Sequence, residues 1–388
     1  MLEVHILGTS SARPAHGRSV SGTLVRHQGT SVAVDCGEGF QNRVVDHNRD
    51  LKEGGRSERA RLGRLDCILL THGHLDHTWG LLPMLHTMAL DDRRTSLNVI
   101  APTSHAVVQQ LLSSGDPFGD LEGMELDAVD LSRLYRQWWS LGGTSSSLGF
   151  EVSWFLVGVD SSGGSRNDSF SAVRLDPDQG SVKALESLEG LCGNLEARCV
   201  PTRHSVPSCG WWLKEAGRLG RFDRRAAESA KLPDEVIIGL ARGQNVEHQG
   251  VVLEHSAFRG RPRTGASLLI SGDTAGGVAA FGRLAEDGFA TSLLIHESTY
   301  LDEHQERADR YLHATAKQAA AAANACAARH LVLTHYSARI SDSSASHSEA
   351  AEVHRSVFDA ADGDVIRISD DAASVLRRNG KDWLEMPL

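Results

Sequence analysis

The sequence predicts an α/β protein whose chemistry gathers at one sheet edge, and three observations support this. Short runs rich in Val, Ile and Leu recur along the 388 residues, and each stops at a residue able to bind a metal. "SVAVDCGEG" ends at Asp35, "CILLTHGHLDH" at His72 and beyond, "RCVPTRHS" at His204, "LLISGDT" at Asp273, "LLIHEST" at His296 and Glu297, and "LVLTHYS" at His335. Runs of this length bounded by Gly, Ser or Thr read as buried strands. Several alternate with helical stretches, among them Thr78 to Leu90 and the Ala-rich Ala314 to Ala328, a strong helix former. Groups placed just past strand ends line up along one edge of an α/β sheet. Six such endings imply one shared site.

Two stretches fall outside this pattern. Between Asp91 and Leu195 lie the Gly/Ser-rich segments "LGGTSSSLG" (141–149) and "DSSGGSRNDS" (160–169), bracketing the strand-like "FEVSWFLVGV". The expectation for this elongated segment, 91–195, is a hairpin with loose turns, a surface elaboration of a single domain spanning 1–388. The second stretch is an inserted arm, 211–254, whose first part, Trp211 to Pro233, carries Lys214, Arg218, Arg221, Arg224, Arg225 and Lys231 against Glu215, Asp223 and Glu228. That local surplus of positive charge sits in a chain of net charge −10. An acidic chain is not one that coats nucleic acid with its whole surface, although basic residues gathered locally still permit a nucleic-acid enzyme.

The composition, 40% hydrophobic and 23% charged, is that of a globular protein. No run reaches the roughly 18 apolar residues that a bilayer span requires. The start, Met1-Leu2-Glu3-Val4-His5, lacks a basic stretch leading into an apolar one, so the expected location is cytoplasmic, away from membranes. The six cysteines show no paired C-x-x-C spacing, which excludes both a disulfide framework and a zinc knuckle from the reading.

The segment "LLTHGHLDHTWG" (69–80) holds three histidines and an aspartate in six positions. Such groups are costly to bury unless paired or bound to metal. His72 and His74, two apart on an extended segment, point to one side and can share an ion. Asp76 and His77 follow the turn toward the next helix and can reach a second ion. His204, Asp273 and His335 would complete the shells, with Asp273 as bridge because a carboxylate has two oxygens to share. Imidazole and carboxylate ligands suit two zinc ions per chain, with manganese the alternative. Asp35 is a candidate for orienting a ligand histidine.

These residues, in this order, resemble the metallo-β-lactamase superfamily, whose signature matches Thr71 to His77. The resemblance implies a four-layer αββα sandwich with a dinuclear site at the edge of two sheets. Finer motifs are similar to one branch, the short-form tRNase Z endonucleases: "LGTSSARPAHGRSVSG" (7–22), "DCGEGFQ" (35–41), "RHSVPSCGWW", "HESTYLD" (296–302), "YLHATA" (311–316) and "LTHYSAR" (333–339). Three features differ from that family. The arm carries "LPDEVIIGL" in place of a Gly-Pro-containing turn; His16 and Ser19 stand where lysine and asparagine are common, with Pro14 and Arg18 kept; and the 91–195 segment is longer.

The resemblance implies precursor transfer RNA as partner, a homodimer, and an arm that acts as a substrate-gripping exosite. Lys214, Arg218, Arg221, Arg224 and Arg225 on the arm and Arg18 in the N-terminal loop are then the candidates for substrate binding. A protruding basic element can hold the phosphate backbone while the acidic body stays apart from it. An alkoxide is a poor leaving group, so a water activated on metal needs a general acid as partner. His313 supported by Glu297 suits that role, with Asp76 ligating the second ion and orienting the water. The expected reaction is zinc-dependent hydrolysis 3′ of the discriminator nucleotide. A small-substrate phosphodiesterase of the same fold would use the same residues and have no need of the arm. A non-catalytic RNA-binding protein would not need the ligand set, and a lactonase or thioesterase would not need Glu297 and His313.

Overall fold

A computed structural model describes residues 1–160 and 170–388. The chain first lays down β1 (Leu2–Gly8), β2 (Gly22–His27), β3 (Thr30–Cys36), β4 (Cys67–Leu69), β5 (Leu97–Ser104), β6 (Val152–Val159), β7 (Ala172–Asp176) and β8 (Ser181–Leu185). There follow β9 (Leu195–Pro201), β10 (Cys209–Glu215), a separate pair β11 (Val246–His248) and β12 (Val251–Leu253), then β13 (Ser267–Ile270), β14 (Leu293–Glu297), β15 (His330–Thr334) and β16 (Val357–Asp359). The last strands are β17 (Val365–Ile368), β18 (Ala373–Asn379) and β19 (Asp382–Pro387). Among the described residues eleven strands form one sheet, ordered β19-β18-β17-β1-β2-β3-β4-β5-β6-β7-β8, and six form a second, ordered β16-β15-β14-β13-β10-β9.

The central strands are apolar on both faces because both are covered. In β3, Val32 and Val34 pack into the core between the sheets with Leu268 and Ile270 of β13 and Val332 of β15. Ala33 and Cys36 face the other way, against Val44, Leu81, Met84 and Leu85 of the helices Phe40–Glu53 and Leu81–Leu90. The second sheet repeats this alternation: Leu269, Leu294 and Leu333 pack outward against the alanines of the helix Ala316–Ala325. Two sheets with helices on both outer faces make the four-layer αββα sandwich. β3 to β6 run parallel, as do β13 to β16. Their carboxyl ends therefore present Asp35, His72, Asp273, Glu297 and His335 as a set. No helix among the described residues is long and apolar enough to cross a membrane.

Some features differ from the sequence expectation. The helix expected from Thr78 to Leu90 is two helices, Leu75–Thr78 and Leu81–Leu90. Pro83 cannot donate back to Trp79, and the Gly80 amide is taken by the Cys36 carbonyl at 2.8 Å, so the ladder breaks there. The 91–195 segment is integral rather than superficial: β5 and β6 extend the first sheet in parallel, with Val99, Trp154 and Leu156 buried. The expected hairpin is β6 with β7, antiparallel through Leu156 and Val173. Residues 161–169 of "DSSGGSRNDS" lie outside the described residues. The other glycine-rich loop contains a short helix, Ser145–Leu148, capped by the Thr144 hydroxyl.

Chain contacts divide the molecule into two compact units, residues 1–214 with 266–388, and residues 215–265. The arm expected at 211–254 is therefore shifted: Trp211, Trp212 and Leu213 are fully buried on β10, paired with β13. The smaller unit holds helices Arg224–Ser229 and Asp234–Ala241 and the β11–β12 hairpin, around buried Ala227, Ile237 and Leu240. At its base Arg218 and Arg263 exchange two backbone hydrogen bonds of 2.9 Å.

Candidate metal centre

The cluster is assembled from loops that the strands deliver. Gly73 separates His72 from His74, and any side chain there would drive a Cβ to 1.7 Å from the Val129 carbonyl oxygen. Gly272, with φ of +61°, turns the chain after β13 so that Asp273 enters the cluster; a Cβ there would press on Thr71 at 2.6 Å. Asp35 and His335 are non-glycine residues in the left-handed region, with φ of +57° and +59°. Such conformations cost free energy and concentrate at functional sites.

Two sets of ligand atoms converge. His72, His74, His204 and Asp273 offer one group, and Asp76, His77 and His335 a second, with each group's atoms within 4.8 Å of one another. Asp273 spans both. Its Oδ2 lies 3.8 Å from His72 Nε2 and 4.0 Å from His204 Nε2. Its Oδ1 lies 3.3 Å from His77 Nε2 and 3.2 Å from His335 Nε2. Asp76 Oδ2 is 3.6 Å from both of the last two nitrogens and accepts the Ala12 amide at 2.8 Å.

The other ring nitrogens are already committed. His204 Nδ1 donates to the Leu312 carbonyl at 2.9 Å, and His77 Nδ1 donates to Asp35 Oδ2 at 2.7 Å. The Thr71 hydroxyl donates to the same Asp35 oxygen at 2.8 Å, so at 3.1 Å it accepts from His72 Nδ1. Each histidine so held turns a lone pair on Nε2 into the cluster. His204 Nε2 then faces His74 Nδ1 at 3.2 Å, and His77 Nε2 faces His335 Nε2 at 3.3 Å. At this distance two ring nitrogens need between them either a proton on one ring or a cation that takes both lone pairs. Buried His72 Nε2 and Asp273 Oδ1 make no hydrogen bond among the described residues. The donor set of imidazoles with a shared carboxylate fits divalent metal ions.

Electrostatics agree with the geometry. Burial, reinforced by His77, pushes His72 well below the usual histidine range; burial also brings His204 down to about 4 although Asp273 opposes it. Burial works against ionising Asp273, yet His335, His77 and His72 outweigh it and hold this carboxyl well below the usual range. For His72, His204 and Asp273 these are the protonation states a cation requires of its ligands. Burial works against a charged His77, yet Asp273, Asp76 and Asp35 outweigh it and hold that imidazole well above the usual range, so a cation there would take the place of its proton.

Beside the cluster stands a second pair. Glu297, at the end of β14, is buried and takes the Thr274 amide at 2.7 Å and His313 Nδ1 at 2.9 Å on Oε1. His313 arrives through local pairing: Tyr300 and Ala314 are bonded at 3.2 Å, and the Ala316 amide returns to the Tyr300 carbonyl at 3.0 Å. Thr315 then starts the next helix in a reciprocal cap with Gln318. Burial lowers the affinity of His313 for its proton, but the Glu297 carboxylate outweighs that and holds it up to about 9. Glu297 thus holds His313 charged through Nδ1, and the His313 side chain is 15% exposed.

The structure brings together His72, His74, Asp76, His77, His204, Asp273 and His335, with Asp35, Glu297 and His313 around them. His296 is not among them: its ring packs on Phe281 and its Nδ1 bonds the Glu297 carbonyl at 2.7 Å. Arg18 is turned inward. Its guanidinium donates to the Ile340 carbonyl at 2.6 Å and stacks over Tyr336 at 4.8 Å. Lys214 lies on β10, its ammonium 5.9 Å from the Trp212 ring. Arg218, Arg221, Arg224 and Arg225 are exposed on the smaller unit, where Arg224 pairs with Glu228 at 2.8 Å. Arg259 is a tie inside that unit, donating to the Gly220 and Leu240 carbonyls at 2.9 Å. Thr71, Thr299 and Leu312 fall within the quoted motifs, but their roles in orienting the site are ones that the sequence did not reveal. A T-x-x-Q cap at Thr315 was its one local clue to where the turn after Leu312 ends.

Residues 30–139 match a family model described as a beta-lactamase superfamily domain. Ribonuclease Z of Halobacterium salinarum is 31% identical over 365 residues, 93% of this chain and 96% of that protein. Ribonuclease Z of Gemmatimonas aurantiaca is 29% identical over 374 residues, 95% of this chain and 96% of that one. Among solved structures, human short-form tRNase Z superposes with a TM-score of 0.54 at 21% identity, over 94% of this chain and 99% of its own. A long-form RNase Z from yeast gives 0.57 at 18%, over 95% and 42%. These two likenesses are of fold. With the relative at 31% identity matched over nearly its full length, the chain belongs to the ribonuclease Z family of metallo-β-lactamase-fold proteins.

Proposed function

We propose that this member of the ribonuclease Z family, a metal-dependent endoribonuclease, removes 3′ trailers from precursor transfer RNA by hydrolysis 3′ of the discriminator nucleotide. The observation that carries the reading is the Glu297–His313 pair, 2.9 Å apart and set against the ligand cluster. Departure of a sugar 3′ oxygen calls for a proton donor beside the metal site, and an imidazole held charged by a carboxylate can supply it.

His72, His74, His204 and Asp273 Oδ2 would hold one divalent ion, and Asp76, His77, His335 and Asp273 Oδ1 the other. Zinc is the choice these ligands favour, with manganese the alternative. Ions held there supply an acidified water and neutralise charge on the phosphate. The protein's own part is to keep Asp76 beside the reacting centre, to hold His313 protonated through Glu297, and to deliver that proton from Nε2 to the departing 3′ oxygen. The products would be a transfer RNA with a free 3′ hydroxyl and a trailer with a 5′ phosphate.

The smaller unit supports the choice of substrate. Residues 215–265 carry nine lysines and arginines against seven aspartates and glutamates, a net +2 in a chain of −10. Arg218, Arg221, Arg224 and Arg225 would contact the phosphate backbone away from the chemistry. A cytoplasmic homodimer, in which an arm of one subunit holds RNA cut by the other, belongs to the same proposal.

Incubation with a 3′-extended precursor transfer RNA and zinc or manganese, followed by mapping of the ends, tests it. A cut beside the discriminator is expected. Absence of that cut, with bis(p-nitrophenyl) phosphate still hydrolysed, would transfer the assignment to small phosphodiesters.

A further inference from the structure

Thr299 sits where the ligand cluster meets the acid pair. Its Oγ1 lies 2.5 Å from Glu297 Oε2, 3.0 Å from His335 Nδ1, 3.1 Å from the His335 carbonyl oxygen and 3.4 Å from His313 Nδ1. The residue is buried, so these are its partners. A threonine hydroxyl has one proton to give and can accept others. The shortest contact is to a carboxylate, the strongest acceptor present, and the proton belongs there. His335 Nδ1 must then donate to Oγ1, which leaves its Nε2 as a lone pair facing Asp273 Oδ1 and Asp76 Oδ2.

The alternative arrangement has a different outcome. Were the hydroxyl to donate to His335 Nδ1, the ring proton would move to Nε2, which would satisfy the two carboxylates and close the second group of ligands to a cation. Glu297 Oε2 would lose its shortest donor at the same time, keeping only the Thr299 amide at 3.4 Å. One hydroxyl thus sets both the tautomer of a ligand and the orientation of the carboxylate that holds His313.

The first ligand group has a counterpart that differs in one respect. Thr71 stands between His72 and Asp35 as Thr299 stands between His335 and Glu297, but Asp35 also grips His77, another ligand. Glu297 instead grips His313, which belongs to neither of these two groups although its ligand atom lies within 4.8 Å of those of Asp273 and His335. The two relays therefore part in purpose: one serves ligands alone, the other joins ligands to the acid.

We infer that Thr299 is a positioning residue that couples occupation of the Asp76–His77–His335 group to the alignment of His313. The coupling to His313 rests on the proposed role of that residue as acid; the effect on the metal does not.

The test compares Thr299→Val, which keeps the shape and loses the hydroxyl, with Thr299→Ser, which keeps the hydroxyl. Zinc affinity is read by competition with a chromogenic chelator, without any substrate. Thr299→Val should weaken one of two zinc ions by roughly 10- to 100-fold, the range for loss of a group that orients a ligand, and Thr299→Ser should stay near the parent. At saturating zinc, Thr299→Val should lower kcat on 3′-extended transfer RNA by roughly 10-fold or more with KM unchanged, a part of what general acid catalysis contributes. Turnover of bis(p-nitrophenyl) phosphate, whose leaving group needs no proton, should be spared at the same zinc. Parent-like zinc affinity in Thr299→Val, or a loss in Thr299→Ser as large as in Thr299→Val, overturns the inference. Weakened zinc with equal losses on both substrates overturns the coupling to His313 and leaves the ligand effect. If the parent itself does not cut transfer RNA, the zinc measurement still decides the ligand effect, so the two failures are separate. Should Thr299→Val fail to fold, Thr299→Ala is judged by the same criteria.

Discussion

At the scale of single residues, Asp273 and His313 separate binding from chemistry. Asp273 gives one oxygen to each ligand group, so Asp273→Ala removes a ligand from both. Both ions should be lost from the purified protein, as metal analysis would read. His313 belongs to neither tetrad, although its Nδ1 lies 3.8 Å from Asp273 Oδ2 and its ring centroid 5.1 Å from that of His204 and 5.7 Å from that of His335. His313→Ala should keep its metal while kcat on precursor transfer RNA falls by roughly 100- to 10,000-fold, the span of a general acid. The same variant should lose little on bis(p-nitrophenyl) phosphate. Equal loss of metal and of activity would make His313 a structural residue. The candidate ligands were legible in the sequence because His72, His204, Asp273 and His335 each follow an apolar run and His74, Asp76 and His77 crowd behind the first of them. The orienting roles of Thr71, Thr299 and Leu312 were not, although all three fall inside motifs visible in the sequence. A hydroxyl or a carbonyl that orients an imidazole has no spacing of its own, and its partner lies 36 residues away for Thr299 with His335 and 108 for Leu312 with His204.

At the scale of elements, the central strands followed from composition, while their surroundings did not. β5 and β6 lie inside the segment read as a surface elaboration, because their partners are distant in the chain: β6 is paired to β5 across the segment 105–151, and no local pattern reports that closure. The break at Gly80 was written in Pro83, which the helical periodicity outweighed. A further element-level contact has a measurable consequence. His5 on β1 and His47 on the helix Phe40–Glu53 meet at 2.8 Å between Nδ1 and Nε2, both buried. Burial lowers the proton affinity of both, bringing His47 down to about 3, with His5 and Arg43 adding to the effect there. Because the folded value lies below the unfolded 6.5, the native state binds fewer protons than the unfolded chain in the window between them. Stability is therefore full above pH 6.5 and falls as the pH drops through it toward 3. His47 alone should withdraw about 2 kcal/mol by pH 5. Urea unfolding at pH 7 and pH 5 should show a smaller loss in His47→Leu than in the parent. A parent and variant with the same pH slope would remove the pair from the account.

At the scale of the whole molecule, the proposed function divides the labour between the two compact units, cutting in one and holding in the other. All ten residues that form or surround the ligand cluster come from residues 1–214 and 266–388, and none from 215–265. The smaller unit has its own buried residues and closes on itself through the paired backbone of Arg218 and Arg263. That pairing brings its two ends to neighbouring positions, so a short Gly-containing turn can replace residues 219–262 without pulling β10 away from β13. Such a variant should fold, keep its metal and hydrolyse bis(p-nitrophenyl) phosphate at the parent rate. Its KM for 3′-extended transfer RNA should rise, and the dependence on salt should reveal why. Each phosphate contact contributes about 0.9 to the slope of log affinity against log salt on duplex nucleic acid, so loss of Arg221, Arg224 and Arg225 together should flatten that slope by roughly two to three. A raised KM with an unchanged slope would mean that the unit shapes the substrate rather than neutralising it. An unchanged KM would remove the unit from recognition and leave the sandwich alone to choose its substrate.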